Sequence, residues 1–267
     1  MKWRSLAALL LLAALVPGCA TVPITGRSQL DLVPAQQLTA LAADSYAELL
    51  GEARLSQDEK WTGVVEGIGA RIASSAEAFL IDHGLQSQIR YYDWEFALIV
   101  DDAQANAFCM PGGKVAVYTG ILPLAPSETS LAVVIGHEVA HAIANHGGER
   151  MSQLLLAELG GMALSKAVEE KPEETRQLAY LAYGIGAQVG VLLPYSRTHE
   201  SEADRIGLIL MARAGYDPRS AVAFWERMAA EKGAEPPEFL STHPSSARRI
   251  EAIRGYLPEA LGYFEEP

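Results

Sequence analysis

The chain has 267 residues, 49% of them hydrophobic and 20% charged, with a formal net charge of −12. That length and balance suit one large globular domain or two small ones. The acidity argues against a basic phosphate-binding surface, so no nucleic-acid partner is expected.

At the N-terminus, Lys2 and Arg4 precede an apolar run from Ser5 to Val16 that is too short to span a bilayer. The run ends in Leu15-Val16-Pro17-Gly18-Cys19, which resembles a bacterial lipobox. The resemblance implies a lipoprotein signal peptide over residues 1–18 and a lipid anchor on Cys19 that attaches the chain to a membrane. Position 20 is Ala rather than Asp, which implies an outer-membrane lipoprotein facing the periplasm of the bacterial cell envelope. Residues 19–34, with Pro23, Gly26 and Pro34, read as a lipidated tether and lead-in loop. With Cys19 lipidated, Cys109 has no intramolecular partner. Its apolar setting, Ala107-Phe108-Cys109-Met110, fits a buried, inert thiol.

Residues 35 to about 82 show helical periodicity broken near Gly51, with one stripe of Leu38, Leu41, Tyr46 and Leu49 and another of Val64, Val65, Ile68, Ile72 and Phe79. The pattern then changes. Trp94 to Val100 reads as a strand, Asn106 to Met110 as a second, Pro111-Gly112-Gly113 as a hairpin turn, and Lys114 to Thr119 as a third strand. From Ser127 onward everything reads as helix, with Ser127 and Glu128, or Ser130, available as caps and Gly147-Gly148 as the first stop. Further helices are predicted near 149–170, 173–193, 197–214, 218–232 and 244–256. The apolar stretch Leu178 to Leu193, interrupted by Gly184, Gly186 and Gly190, reads as a buried core helix rather than a membrane span. The fold class is α+β, mostly α, with one small three-stranded sheet.

His137-Glu138-Val139-Ala140-His141 matches H-E-x-x-H. Residues four apart on a helix lie about 40° apart in projection and one turn along the axis, so both imidazoles can grip one ion. Glu138 is then held beside the metal, placed to take a proton from water. Apolar neighbours, Val133 to Ile135 and Val139 to Ile143, predict a largely buried helix, in which ionisable residues are costly unless paired.

A catalytic zinc takes three protein ligands. A third histidine in the metzincin manner would fall at position 147, which is Gly147. His146 would lie about 180° around a continuous helix from His137, so a capping or core role suits it better. The third ligand is therefore sought on the helix carrying His199-Glu200-Ser201-Glu202-Ala203-Asp204. Glu200 and Asp204 share a face while Glu202 points away, so one carboxylate can meet the ion and the other a histidine ring. His199 reads as exposed, with a contact behind the metal-holding residues as the alternative.

Ser196-Arg197-Thr198-His199-Glu200-Ser201-Glu202-Ala203-Asp204 resembles the S-R-x-x-E-x-x-A-D signature of the HtpX-like gluzincin peptidases, a family that includes the CaaX prenyl proteases. Thr25 to Leu30, Asn106 to Gly113, His146 to Arg150 and Thr242-His243-Pro244 through Arg249-Ile250 are similar to that family's other motifs. The resemblance implies a zincin-like metallopeptidase domain over 35–260, with the sheet or hairpin beside the active-site helix. It implies one Zn2+ per chain on His137, His141 and Glu200, Asp204 as the supporting carboxylate, and Glu138 as the base. The strand Asn106, Ala107 and Phe108 is implied as the edge along which polypeptide substrate docks. His243 could start the last helix, approach the metal as a closing fourth ligand, or help bind the transition state; Arg249 belongs with it as a possible latch. The implied function is a metalloendopeptidase acting on unfolded or misfolded envelope proteins in protein quality control. The alternative is a zinc-bearing chaperone or assembly factor for outer-membrane proteins with little proteolytic activity, against which the intact Glu138 argues.

Overall fold

The computed structural model describes residues 19–187, 193–231, 237–244 and 246–265; the leader expected over 1–18 lies outside the described residues. Where a tether and loop are expected after Cys19, two short strands, β1 (Cys19–Thr21) and β2 (Ser28–Leu30), pair antiparallel. Then follow α1 (Ala35–Glu52) and α2 (Glu59–Asp82), with Asp58 capping α2 by accepting from the Lys60 and Trp61 backbone N–H groups. The sheet is built from β3 (Glu95–Ile99), β4 (Ala107–Met110) and β5 (Lys114–Tyr118). The helices α3 (Glu128–Ile143), α4 (His146–Val168), α5 (Glu173–Ala187), α6 (Leu193–Arg213), α7 (Ser220–Ala230), α8 (Glu238–Thr242) and α9 (Ala247–Leu261) complete the chain. The fold is α+β and mostly helical, with a three-stranded sheet beside the buried helix α3.

Two compact units divide the chain: Ala35–Gly147 with Tyr195–Pro267, and the described part of Met1–Pro34 with Gly148–Pro194. In the smaller unit, Arg27 donates two hydrogen bonds to the Glu149 carboxylate, at 2.8 and 2.7 Å, and the Leu32 N–H donates to Ser152 Oγ at 2.9 Å. Helices α4 and α5 close together where Tyr183 donates to the Ala157 carbonyl at 2.6 Å, a position open only because Gly160 has no Cβ. The buried core helix expected over Leu178 to Leu193 is not found in the described part: Leu178 and Leu181 are 67% and 61% exposed. Apolar composition fixed the helix but not its partner. No helix among the described residues is long and apolar enough to cross a membrane.

In the larger unit the sheet order is β3-β5-β4, with β3 parallel and β4 antiparallel to β5. The outer side of β3 is covered by residues 54–56, through the Ser56 N–H to Leu98 and the Val100 N–H to Arg54. Strand β4 lies beside α3 and has no further strand partner among the described residues. The Pro111-Gly112-Gly113 turn needs φ of +89° and +86° at its two glycines, conformations other residues rarely adopt. On α2 the buried face is Val65, Ile68, Ile72 and Phe79, as the periodicity predicts; on α1 Leu38 and Tyr46 are buried but Leu41 is exposed. The phase of α1 is set by Tyr46, whose hydroxyl donates to the Val115 carbonyl on the sheet at 2.7 Å.

The helices α3 and α6 meet backbone to backbone. A Cβ on Gly207 would stand 3.0 Å from the Gly136 carbonyl and the His137 nitrogen, and a Cβ on Gly136 3.1 Å from the Gly207 carbonyl oxygen. No side chain separates the two helices at this level, one residue before His137 and three after Asp204.

Gly207→Ala is expected to cost about 1–3 kcal/mol by overpacking this crossing. Gly67→Ala, on an exposed and open face of α2, is expected to stabilise by about 0.5–1 kcal/mol. Thermal unfolding of the two variants checks both signs.

Candidate metal centre

Helix α3 is capped at Ser127, whose hydroxyl accepts from the Ser130 N–H while the Ser130 side chain accepts from the Ser127 N–H. Every residue from Ser130 to His141 is buried, so its polar side chains need partners in the protein interior. Four residues supply them in one place. His137, His141, Glu200 and His243 each direct one donor atom into a cluster whose atoms all lie within 4.8 Å of one another.

The closest separations are uniform. His137 Nε2 lies 3.1 Å from His141 Nε2 and 3.1 Å from His243 Nδ1. The Glu200 carboxylate approaches His137 Nε2 to 3.3 Å, His141 Nε2 to 3.4 Å and His243 Nδ1 to 3.0 Å. A tetrahedral zinc with bonds of about 2.0–2.1 Å to nitrogen and oxygen has donor-to-donor edges of about 3.3 Å. The residues therefore fit the ion: three imidazole nitrogens and a carboxylate oxygen, spaced as a zinc site requires. Their approach to 3.0–3.4 Å is more than hydrogen bonding alone explains, since imidazole and carboxylate atoms outnumber the protons available between them.

Behind this cluster the side chains are ordered by charge. Asp204 Oδ1 lies 3.1 Å from His137 Nδ1. Arg249 donates to both Asp204 oxygens at 2.8 Å, reaches Glu200 at 3.0 Å, and lies 3.6 Å from the Trp225 ring centroid. Burying two carboxylates this close would be costly without that guanidinium. Glu138 sits beside the cluster, with Oε1 3.2 Å from His243 Nε2. Burial pushes the Glu138 carboxyl up from its usual range. Burial acts on Glu200 the same way, but the rings of His137, His141 and His243 prevail and hold it well below the usual carboxylate range. Burial drives His141 well down. It would lower His137 too, yet the Asp204 and Glu200 carboxylates outweigh it and raise that imidazole to about 9.

Of three residues near the cluster, His199 differs from the sequence reading, His243 loses one of its three alternatives and Glu202 agrees. His243 does not start the last helix: it follows α8, and Ser246 caps α9. His199, expected to be exposed, is 1% exposed and stacks on His146 at 4.3 Å. Glu202 does turn away from the cluster, but it is buried and meets His146. His146 stands there because the helix breaks. Asn145 takes a left-handed φ of +56°, α3 ends, and His146 swings back beside His141. Asparagine tolerates that conformation better than most residues, which was the available signal. Of the strand residues, Ala107 is buried and donates its N–H to Asn106 Oδ1 at 2.9 Å, and Phe108 packs with the Tyr46 cluster. The Cys109 thiol, pushed well up by burial, makes no disulfide.

A family model described as peptidase family M48 matches residues 70–257. Over 251 residues the chain is 35% identical to the mitochondrial metalloendopeptidase OMA1 of Schizosaccharomyces pombe, covering 90% of this chain and 66% of that protein. It is 33% identical over 251 residues to the mitochondrial metalloendopeptidase OMA1 of Homo sapiens, covering 90% and 46%. It is 29% identical over 231 residues to a putative beta-barrel assembly-enhancing protease of Vibrio cholerae, covering 82% and 44%. The chain thus spans between 44% and 66% of the length of these relatives. They correct one expectation. The relatives of higher identity are mitochondrial, so a place on the periplasmic face of a bacterial outer membrane does not stand.

Zinc needs the His137 Nε2 lone pair, whereas in the metal-free protein that imidazole keeps its proton up to about pH 9. Zinc binding at pH 7 is therefore expected to release about one proton per chain, falling toward zero above pH 10. Calorimetry in buffers of different ionisation enthalpy measures this; no proton release at pH 7 would contradict it.

Proposed function

The chain belongs to peptidase family M48, a family of zinc metallopeptidases, and from that premise we propose that it is an endopeptidase that hydrolyses unfolded or misfolded polypeptides, with Glu138 as its general base. The observation that carries this reading is the buried Glu138 carboxyl beside a four-donor cluster. A site that only braced a fold would not need an acid there.

Zinc, when bound by His137, His141 and Glu200, supplies a Lewis acid that polarises the scissile carbonyl and eases loss of a proton from water. The remaining work falls to the side chains. Glu138 takes the proton from the attacking water and returns it to the leaving amine. The raised pKa that burial gives it suits both directions of transfer. Asp204 Oδ1, 3.1 Å from His137 Nδ1, favours the ring proton on that nitrogen and so leaves Nε2 to face the metal. Arg249 balances the charge of Glu200 and Asp204. The outer edge of β4, beginning at Asn106, Ala107 and Phe108, offers backbone groups to an extended polypeptide; the covered edge of β3 does not. For membrane attachment the reading rests on the Leu15–Cys19 pattern alone, with Cys19 as the lipidated residue.

His243 carries a second reading. Its Nδ1 completes a set of four protein donors while its Nε2 approaches Glu138. Four protein ligands leave no open position, so His243 acts as a latch that withdraws when substrate enters. Were it to stay, the protein would be a zinc-bearing assembly factor with little proteolytic activity.

Glu138→Gln is expected to retain zinc and to lose cleavage of unfolded casein by about 10²-fold or more; retained proteolysis would remove the mechanism. His243→Ala is expected to weaken zinc binding and to leave cleavage equal or faster. Abolished cleavage with zinc still bound would instead make His243 a participant in the reaction.

A further inference from the structure

His141 is turned by what stands behind it. Its Nε2 faces the donor cluster, and its Nδ1 faces His146 Nδ1 at 2.9 Å. Two ring nitrogens at that distance share one proton, because neither two protons nor none gives a bond. If His141 presents its Nε2 lone pair to a metal, its proton is on Nδ1. His146 Nδ1 is then the acceptor, and the proton of neutral His146 is on Nε2. That nitrogen lies 3.1 Å from Glu202 Oε2, a carboxylate that can accept it. The tautomers agree along the whole line. His146 and His199 are each 1% exposed, and their rings stack at 4.3 Å and 14°, which fixes the plane of His146.

We propose that His146 and Glu202 are positioning residues for zinc, a relay that fixes the tautomer and orientation of His141 by accepting its Nδ1 proton through a second imidazole. The proposal rests on the reading of His141 as a metal-holding residue. It makes the two imidazoles of α3 unequal. His137 Nδ1 faces Asp204 directly at 3.1 Å, a carboxylate already ion-paired with Arg249. His141 donates to a neutral ring that passes the polarisation on to Glu202. Both supports come from α6, on the N-terminal side of the crossing at Gly207: Asp204 directly, Glu202 through the residue that follows the Asn145 turn. The helix break after α3 thereby gains a purpose in the site, since a continuous helix would carry His146 to the far side.

The test is zinc affinity, measured on the full chain by chelator competition at pH 7.5, with thermal unfolding of each metal-free form as a check on folding. His146→Leu removes the acceptor and is expected to weaken zinc about 10–100-fold. His146→Asn places an amide oxygen where Nδ1 stood, and is expected to recover most of that loss, a rescue that a merely space-filling role would not show. Glu202→Gln is expected to weaken zinc by a smaller factor, about tenfold or less. His141→Ala serves as the reference. If it keeps zinc at wild-type affinity, the assignment of the metal ligands fails. If it loses zinc while His146→Leu binds as tightly as wild type, the relay alone fails. If His146→Leu does not fold, the remaining arms decide: wild-type affinity in Glu202→Gln together with His146→Asn as weak as His141→Ala would overturn the proposal.

Discussion

The site depends on two helices touching without side chains between them. Gly136 and Gly207 let the backbones of α3 and α6 approach until a Cβ on either would press on the other's carbonyl. Helices usually pack with axes about 8–10 Å apart, set by the side chains at the contact, and a bulkier pair here would push Glu200 and Asp204 away from the two imidazoles. The carboxylates are short levers. An outward shift of the helix by one methyl group's width would open distances of 3.3 and 3.1 Å beyond what a metal or a hydrogen bond bridges. The crossing thus connects the primary sequence to the chemistry: small residues at two positions allow a close approach, and the approach lets ligands from distant stretches share one ion.

Such proximity creates an electrostatic problem that the surrounding residues answer. Glu138, Glu200 and Asp204 are all buried and each meets a histidine of the same cluster. In a low-dielectric interior like charges repel strongly, and a cation must stand among them. Arg249 does so permanently, held by Asp204 and by the Trp225 ring. Zinc supplies the rest when bound. In the metal-free protein, protonated His137 takes part of that role, so metal binding and proton release are two sides of one balance. The same arrangement explains why the polar residues around the cluster are sunk deep rather than solvated: a dry setting strengthens each interaction that orients a ligand.

How much of this was legible depended on whether the information was local. The H-E-x-x-H spacing, the Ser127 cap and the Pro111-Gly112-Gly113 hairpin each involve residues a few positions apart, and each takes the form its residue types dictate. The mostly helical class and the small sheet follow from the same periodicities. Long-range features were harder. Periodicity left Glu200 and Asp204 as alternatives on one face, and the choice between them came from the resemblance of the S-R-x-x-E-x-x-A-D segment to a known signature. His146 takes the core place expected of it, beside His141 because Asn145 ends α3; His199 is buried by a stacking partner that periodicity does not show; and Glu202 faces away from the cluster, as expected, toward His146. Helix α5 is more exposed than its apolar stretch suggests, because such a stretch does not name what it packs against.

On the proposed reading, one zinc is enclosed by His137, His141 and the remote Glu200. Metal analysis of the purified chain, alongside Glu200→Gln, is the decisive measurement. One zinc per wild-type chain is expected after exhaustive dialysis, with a clear deficit in a still-folded Glu200→Gln. Full zinc occupancy at wild-type affinity in Glu200→Gln would contradict it.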